Sequence, residues 1–108
     1  MNRNIFIYLV GFIILAFSIA GTDGTIRGTV RDVNGEALPG VQVFIEDLGQ
    51  GATTDGDGNY IILNVQVGTY AVQARMIGYA TNITTNVSVT MDQTQWLNIV
   101  LSEEAIEG

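Results

Sequence analysis

The sequence predicts an all-β fold of seven short strands, and three observations carry that prediction. β-Branched and aromatic residues alternate with polar ones in the strand period. Clusters of Gly, Asn and Asp punctuate those stretches. Beyond Ala20, no segment carries helical spacing. The pattern is densest from Thr53 to Tyr79, which reads turn, strand, turn, strand. Its Asp55-Gly56-Asp57-Gly58-Asn59 core joins glycines that reach φ > 0 to short side chains that hydrogen-bond neighbouring backbone. Tyr60 to Leu63 then forms an apolar run, Gly68 breaks it, and Tyr70, Val72, Ala74 and Met76 alternate with Ala71, Gln73 and Arg75. The two runs are expected to pair as a β-hairpin.

Taken in order, Met1 to Ala20 opens with Arg3, continues through an apolar stretch and closes on Ser18-Ile19-Ala20, the small residues a signal peptidase reads. A hydrophobic signal helix is the expectation; the competing reading, a retained membrane anchor, needs ~20 apolar residues to span hydrocarbon, and this run is shorter. Gly21 to Gly24 is a flexible lead-in. Thr25 to Arg31 alternates as the first strand. Asn34-Gly35 and then Pro39-Gly40 mark a loop into the second, where Val41, Val43 and Ile45 share the core face and Gln42, Phe44 and Glu46 the wetter one. Leu48 to Gly51 turns the chain into a brief strand, Ala52 to Thr54. Asn82 to Thr90 follows the central segment as another strand, and Trp96 to Ser102 is the last, with Leu97, Ile99 and Leu101 opposite Trp96, Asn98 and Val100. The acidic tail from Glu103 to Gly108 shows no pairing pattern.

Composition removes several function classes. At 108 residues the chain holds one domain. It has no Cys and no His, so thiolate and imidazole chemistry, catalytic or metal-binding, is missing, and no cofactor is implied. Eleven acids against four bases, a formal charge of -7, oppose nucleic-acid binding.

The order Pro39-Gly40, Thr54-Asp55 with Gly58 and Tyr60, Gly68-x-Tyr70, and Ile77-Gly78-Tyr79 resembles the carboxypeptidase regulatory-like domain over about Gly24 to Ser102. That resemblance implies a seven-stranded antiparallel Greek-key β-sandwich of the transthyretin (prealbumin) type. The divisions are then a signal peptide at 1–20, a lead-in at 21–24, the sandwich at 25–102 and an acidic tail or linker at 103–108. Such domains occur beside metallocarboxypeptidases, in bacterial surface proteins and at the mature N-terminus of TonB-dependent outer-membrane receptors, and a signal peptide directly ahead of the domain suits the last. The family has no shared catalytic set to transfer. A transthyretin-fold relative hydrolyses hydroxyisourate with histidines, which this chain lacks.

Candidate sites are few. Asp55, Asp57 and Asn59 have the one-three-five spacing of a calcium loop, but Tyr60 stands where that loop needs Gly and Gln66 where it needs Glu, so a plain turn is the better reading. Glu46-Asp47 reads as solvated charge, since neighbouring strand residues face opposite ways. Trp96, Tyr70, Tyr79 and Phe44 offer rings for stacking a sugar, against the simpler role of aromatics in a small core. Asn82-Ile83-Thr84 and Asn86-Val87-Ser88 are formal glycosylation sequons, relevant only to a eukaryotic secretory route.

The expected function is that of a non-catalytic structural or interaction module of an exported protein, in the periplasm, outer membrane or at the cell surface. Its partner would be an envelope protein or the remainder of a longer receptor chain, met by backbone pairing at a terminal strand, Thr25 to Arg31 or Trp96 to Ser102. A small carbohydrate-binding module is the alternative. Membrane contact is expected only through an uncleaved signal segment. Export is predicted to remove Met1 to Ala20; the intact mass of exported protein checks this, and a mass that retains Met1 would mark the segment as an anchor.

Overall fold

The computed structural model describes residues 23–104. The signal helix expected over residues 1–20, residues 21 and 22 of the lead-in, and residues 105–108 of the tail lie outside the described residues. The strands are β1 (Asp23–Asp32), β2 (Gln42–Ile45), β3 (Gln50–Thr53), β4 (Asn59–Gln66), β5 (Gly68–Arg75), β6 (Asn82–Val89), β7 (Thr94–Trp96) and β8 (Ile99–Leu101), with one 3-10 turn at Glu46–Leu48. One sheet runs β4-β1-β7 with β8 also on β1; the other runs β3-β2-β5-β6. The inward residues of both meet in one core that includes Ile26, Val30, Val41, Val43, Ile45, Ile62, Val65, Val72, Val89 and Leu101. The fold is a β-sandwich, and the period-two phase read from the sequence puts Val41, Val43 and Ile45 inside and leaves Trp96 and Val100 outside.

Pairing departs from expectation in three places. β4 and β5 are not a hairpin: they lie in different sheets, β4 on β1 and β5 between β2 and β6. A single residue, Val67, separates them, fewer than the two a tight hairpin turn requires, so the chain crosses the sandwich there instead. Tyr70 secures the crossing. Its ring lies over Gly68, where a Cβ would come within 2.8 Å of the phenol oxygen, and its hydroxyl donates to the Gln66 carbonyl at 2.7 Å. That is the physical content of the Gly68-x-Tyr70 motif.

The second departure is at the last strand, which is broken into β7 and β8 and runs parallel, not antiparallel, to β1. The register stays constant across the break, Thr25 opposite Thr94 and Val30 opposite Ile99. Gly28 causes the interruption. A Cβ on Gly28 would lie 1.9 Å from the Leu97 carbonyl oxygen, so that carbonyl occupies the space a side chain would fill. Tyr60, opposite Gly28 on β4, reaches across to donate its buried hydroxyl to the same oxygen at 2.6 Å. With the Leu97 carbonyl taken by Tyr60, the Thr29 amide donates to the Asn98 side-chain oxygen at 3.0 Å, so the donor of a central strand stays satisfied.

The third departure follows: β1, expected at a sheet margin, is the middle of its sheet. It also starts earlier than the lead-in allowed, since Asp23 and Gly24 already belong to it. Smaller corrections concern β3, which spans Gln50–Thr53, and Glu46, which leaves the strand for the 3-10 turn. Thr54, just past β3, is buried and bridges the opening of β2, its hydroxyl donating to the Leu38 carbonyl and accepting from the Val41 amide. The first tail residues also pair: Glu103 bridges Tyr79, and the Glu104 amide donates to the Gly78 carbonyl.

Burial pushes the Tyr60 phenol well above its ordinary value, because the ionised form would lose its hydration in the core. Tyr60→Phe is expected to cost about 1–3 kcal/mol, the scale for a buried partner left unsatisfied. The folded state holds the neutral phenol while the unfolded chain ionises near pH 10, so the Tyr60 contribution is whole below ~10 and falls as pH rises beyond it. Denaturant melts from pH 8 upward should show a steeper loss for the wild type than for Tyr60→Phe; parallel curves would contradict the burial.

Candidate functional site

The calcium-like stretch is a turn held by its own carboxylate. Asp55 Oδ1 accepts from the amides of Asp57 and Asn59, both at 2.9 Å, and the Gly58 amide donates to the Asp55 carbonyl at 3.0 Å. Gly58 has φ of 77° and a Cβ there would meet the Val30 carbonyl at 2.7 Å, so the position requires glycine. The same device recurs at Asp32-Val33-Asn34-Gly35-Glu36. Asp32 Oδ1 accepts from the Asn34 and Glu36 amides, and Gly35 has φ of 84°. In both copies the aspartate oxygen is taken up by two backbone amides of its own turn, so the aspartate serves turn geometry in each. Among the described residues, no three His, Cys, Asp or Glu side chains are grouped to hold a metal. Glu46 and Asp47 sit exposed on the 3-10 turn, and Glu46 accepts from Gln73 Nε2 at 2.9 Å. Both therefore stand on a turn, not on a strand.

The aromatic candidates are not brought together. Tyr70 is spent on the β4-β5 crossing, and Tyr79, half-buried, packs against the core at the end where β8 stops. Phe44 lies on the outer face of its sheet opposite Gly51 and Gln73, with the Arg75 guanidinium 5.2 Å from its ring centre. Its wet-side position is explained by this stack over a glycine. Trp96 alone stands open, 60% exposed.

Around Trp96 the structure assembles residues that sequence reading passed over. Arg27 is opposite both Ile61 on β4 and Trp96 on β7, so the three form one row across the outer face of the sheet. The Arg27 guanidinium sits 4.8 Å from the indole centre. Ile61 and Leu63 are exposed beside them. A groove of about 530 Å³ runs from this row towards β3 and the Asp55 turn, and Asp55 and Asn59 line it with Trp96. The legible signal was the unbroken apolar run Tyr60-Ile61-Ile62-Leu63: a strand without alternation is apolar on both faces, and here one of those faces is solvent.

The sheet edges, in contrast, are blunted. β3 has four residues. Along β4, Gln50 Nε2 donates to the carbonyls of Leu63 and Asn64, and Asn64 takes φ of 56° at a bulge. β6 is kinked at Asn86, φ 59°, where its register with β5 slips. The last strand is broken at Leu97 and Asn98. Bulges and short edges of this kind discourage strand addition.

Residues 25–102 match the carboxypeptidase regulatory-like domain. The chain belongs to this family. Among solved structures, the domain is similar to a chain of the type II cohesin-X-dockerin complex of Acetivibrio cellulolyticus, a C-terminal interface mutant, at 26% identity and a TM-score of 0.64. The match covers 72% of this chain and 56% of that one, so the domain spans little more than half of its relative's length. It shares its fold with a candidate carbohydrate-binding protein of Bacteroides uniformis, at 18% identity, 75% and 42% coverage and a TM-score of 0.58. The minor pilin GBS52 of Streptococcus agalactiae shares it too, at 15% identity, 82% and 48% coverage and a TM-score of 0.56. No curated protein sequence matches the chain.

Calcium is predicted to leave the melting temperature unchanged, because the Asp55 oxygen that would ligate it already holds two amides. Binding to the folded state would stabilise it by mass action. A calcium-dependent rise abolished by Asp55→Asn would contradict the turn reading.

Proposed function

We propose that this carboxypeptidase regulatory-like domain is a non-catalytic protein-interaction module of an exported protein, and that its contact surface is the Ile61-Arg27-Trp96 row. The single observation that carries the reading is that row: a tryptophan 60% exposed, stacked with an arginine, in register with exposed aliphatic residues on one sheet face. Trp and Arg are the residues that most often dominate binding energy at protein interfaces, and isolated large apolar groups in register make a patch that water covers poorly. The blunted edges weigh against the backbone pairing expected from the sequence, so the contact moves from an edge to a face. The 26%-identical relative, part of a complex named for cohesin and dockerin, supports a protein partner.

The partner is an envelope protein or the rest of a longer receptor, and the domain is the N-terminal extension of a TonB-dependent outer-membrane receptor. The apolar Met1 to Ala20 segment and the family's settings support this placement. Sequence beyond Gly108 that encodes a TonB box and plug is the observation expected.

A second reading has its own support: Trp96 shares its groove with Asp55 and Asn59, and a flat ring beside hydrogen-bonding groups suits a sugar. The two readings separate experimentally. Trp96→Ala and Arg27→Ala should each weaken capture of an envelope protein by tenfold or more (about 1.4 kcal/mol) while melting as the wild type does, with no signal on a glycan array. Glycan signal that vanishes with Trp96→Ala would establish the carbohydrate reading; unchanged capture by both variants would remove this face from the account.

A further inference from the structure

The parallel pairing of first and last strands has a mechanical meaning. β1 begins and β7 begins at one end of the sandwich, and Asp32 at the close of β1 is opposite Leu101 at the close of β8. The chain therefore enters at one end and leaves at the other. Tension applied along the chain draws β1 one way and the last strand the opposite way, so the bonds between them are loaded side by side in shear. An antiparallel terminal pair would have both chain ends at one edge and would open one bond at a time.

The contacts along this pair are placed to resist such sliding. At the leading end, the Asp92 amide donates to the Asp23 carbonyl and the Thr25 amide to the Gln93 carbonyl, both at 3.0 Å. In the middle, the Leu97 amide donates to the Arg27 carbonyl at 2.9 Å, Asn98 accepts from the Thr29 amide at 3.0 Å, and Tyr60 holds the Leu97 carbonyl. At the trailing end, the Ala80 amide donates to the Ser102 carbonyl and the Glu104 amide to the Gly78 carbonyl, both at 2.9 Å, tying the departing chain to the other sheet. The middle set is the most resistant to sliding, because the Leu97 oxygen is seated in the space over Gly28 and cannot move along β1 without meeting the Cα substituents of its neighbours.

We propose that the domain is a tension-resisting link, clamped by the parallel β1-β7/β8 pair with Leu97 and Asn98 as its catch, and able to hold force between the segments that precede Asp23 and follow Glu104. This goes beyond the interaction face, which lies on the outer side of the same sheet and needs no force to act.

Single-molecule pulling on the full chain tests it, and the absence of Cys makes engineered cysteines unambiguous handles. Handles at Gly21→Cys and Ala105→Cys load the pair in shear. Handles at Val33→Cys and Glu103→Cys, both at the trailing end, peel it open. The expected result is a several-fold higher unfolding force in the first direction than in the second. Asn98→Ala, confirmed folded by its thermal melt, should lower the first force and leave the second unchanged. Equal forces in the two directions, or an Asn98→Ala effect of the same size in both, would overturn the proposal.

Discussion

Gly28 is the constraint on which the rest of the domain depends. Without a side chain, it lets the Leu97 carbonyl close onto β1 and lets Tyr60 reach under β1 from the far strand to hold that carbonyl. Three strands are thereby joined at one point, and the last of them can lie parallel to the first without leaving an amide of the central strand unpaired, because Asn98 supplies the missing acceptor. Any Cβ at this position must displace backbone rather than the flexible end of a side chain, so the cost falls on the pairing itself.

What this arrangement does to the outer surface links fold to function. Holding β7 in register on β1 places Trp96 beside Arg27, and the β1-β4 register places Ile61 on the other side of the same arginine. The row exists because two different pairings, one parallel and one antiparallel, agree at Arg27. The core supplies the rigidity: Ile26 and Val30, which bracket Arg27 and Gly28, are fully buried, and burial of each such side chain is worth about 1.5–3 kcal/mol. An indole stacked against an arginine of the central strand β1 gives up little conformational freedom on contact with a partner.

Much of the fold was legible in the sequence because period two and turn chemistry are local. Val41-Gln42-Val43 and Val87-Ser88-Val89 state which face is buried, and Asp55 to Asn59 states a turn. Pairing was not legible, since partners are fixed by contacts distant in sequence. Tyr60 to Leu63 and Tyr70 to Met76 are as good a hairpin pattern as a sequence offers, yet β4 and β5 leave only Val67 between them, and that short link with the Tyr70 latch sends them to opposite sheets. The aromatic site was half legible. Trp96 could be named, but its companions Arg27 and Ile61 become neighbours only through the register of β1, and Tyr70 and Tyr79 were excluded only by the structural tasks they perform.

Amide hydrogen exchange on neighbouring residues tests the central position of β1 most directly. The Thr29 amide points to the last strand and the Val30 amide to the Gly58 carbonyl on the β4 side. In a central strand both are protected, and both should exchange only through global unfolding, at matching slow rates. Slow exchange at Val30 with fast exchange at Thr29 and Leu97 would show that the last strand does not dock on β1, and would contradict the account.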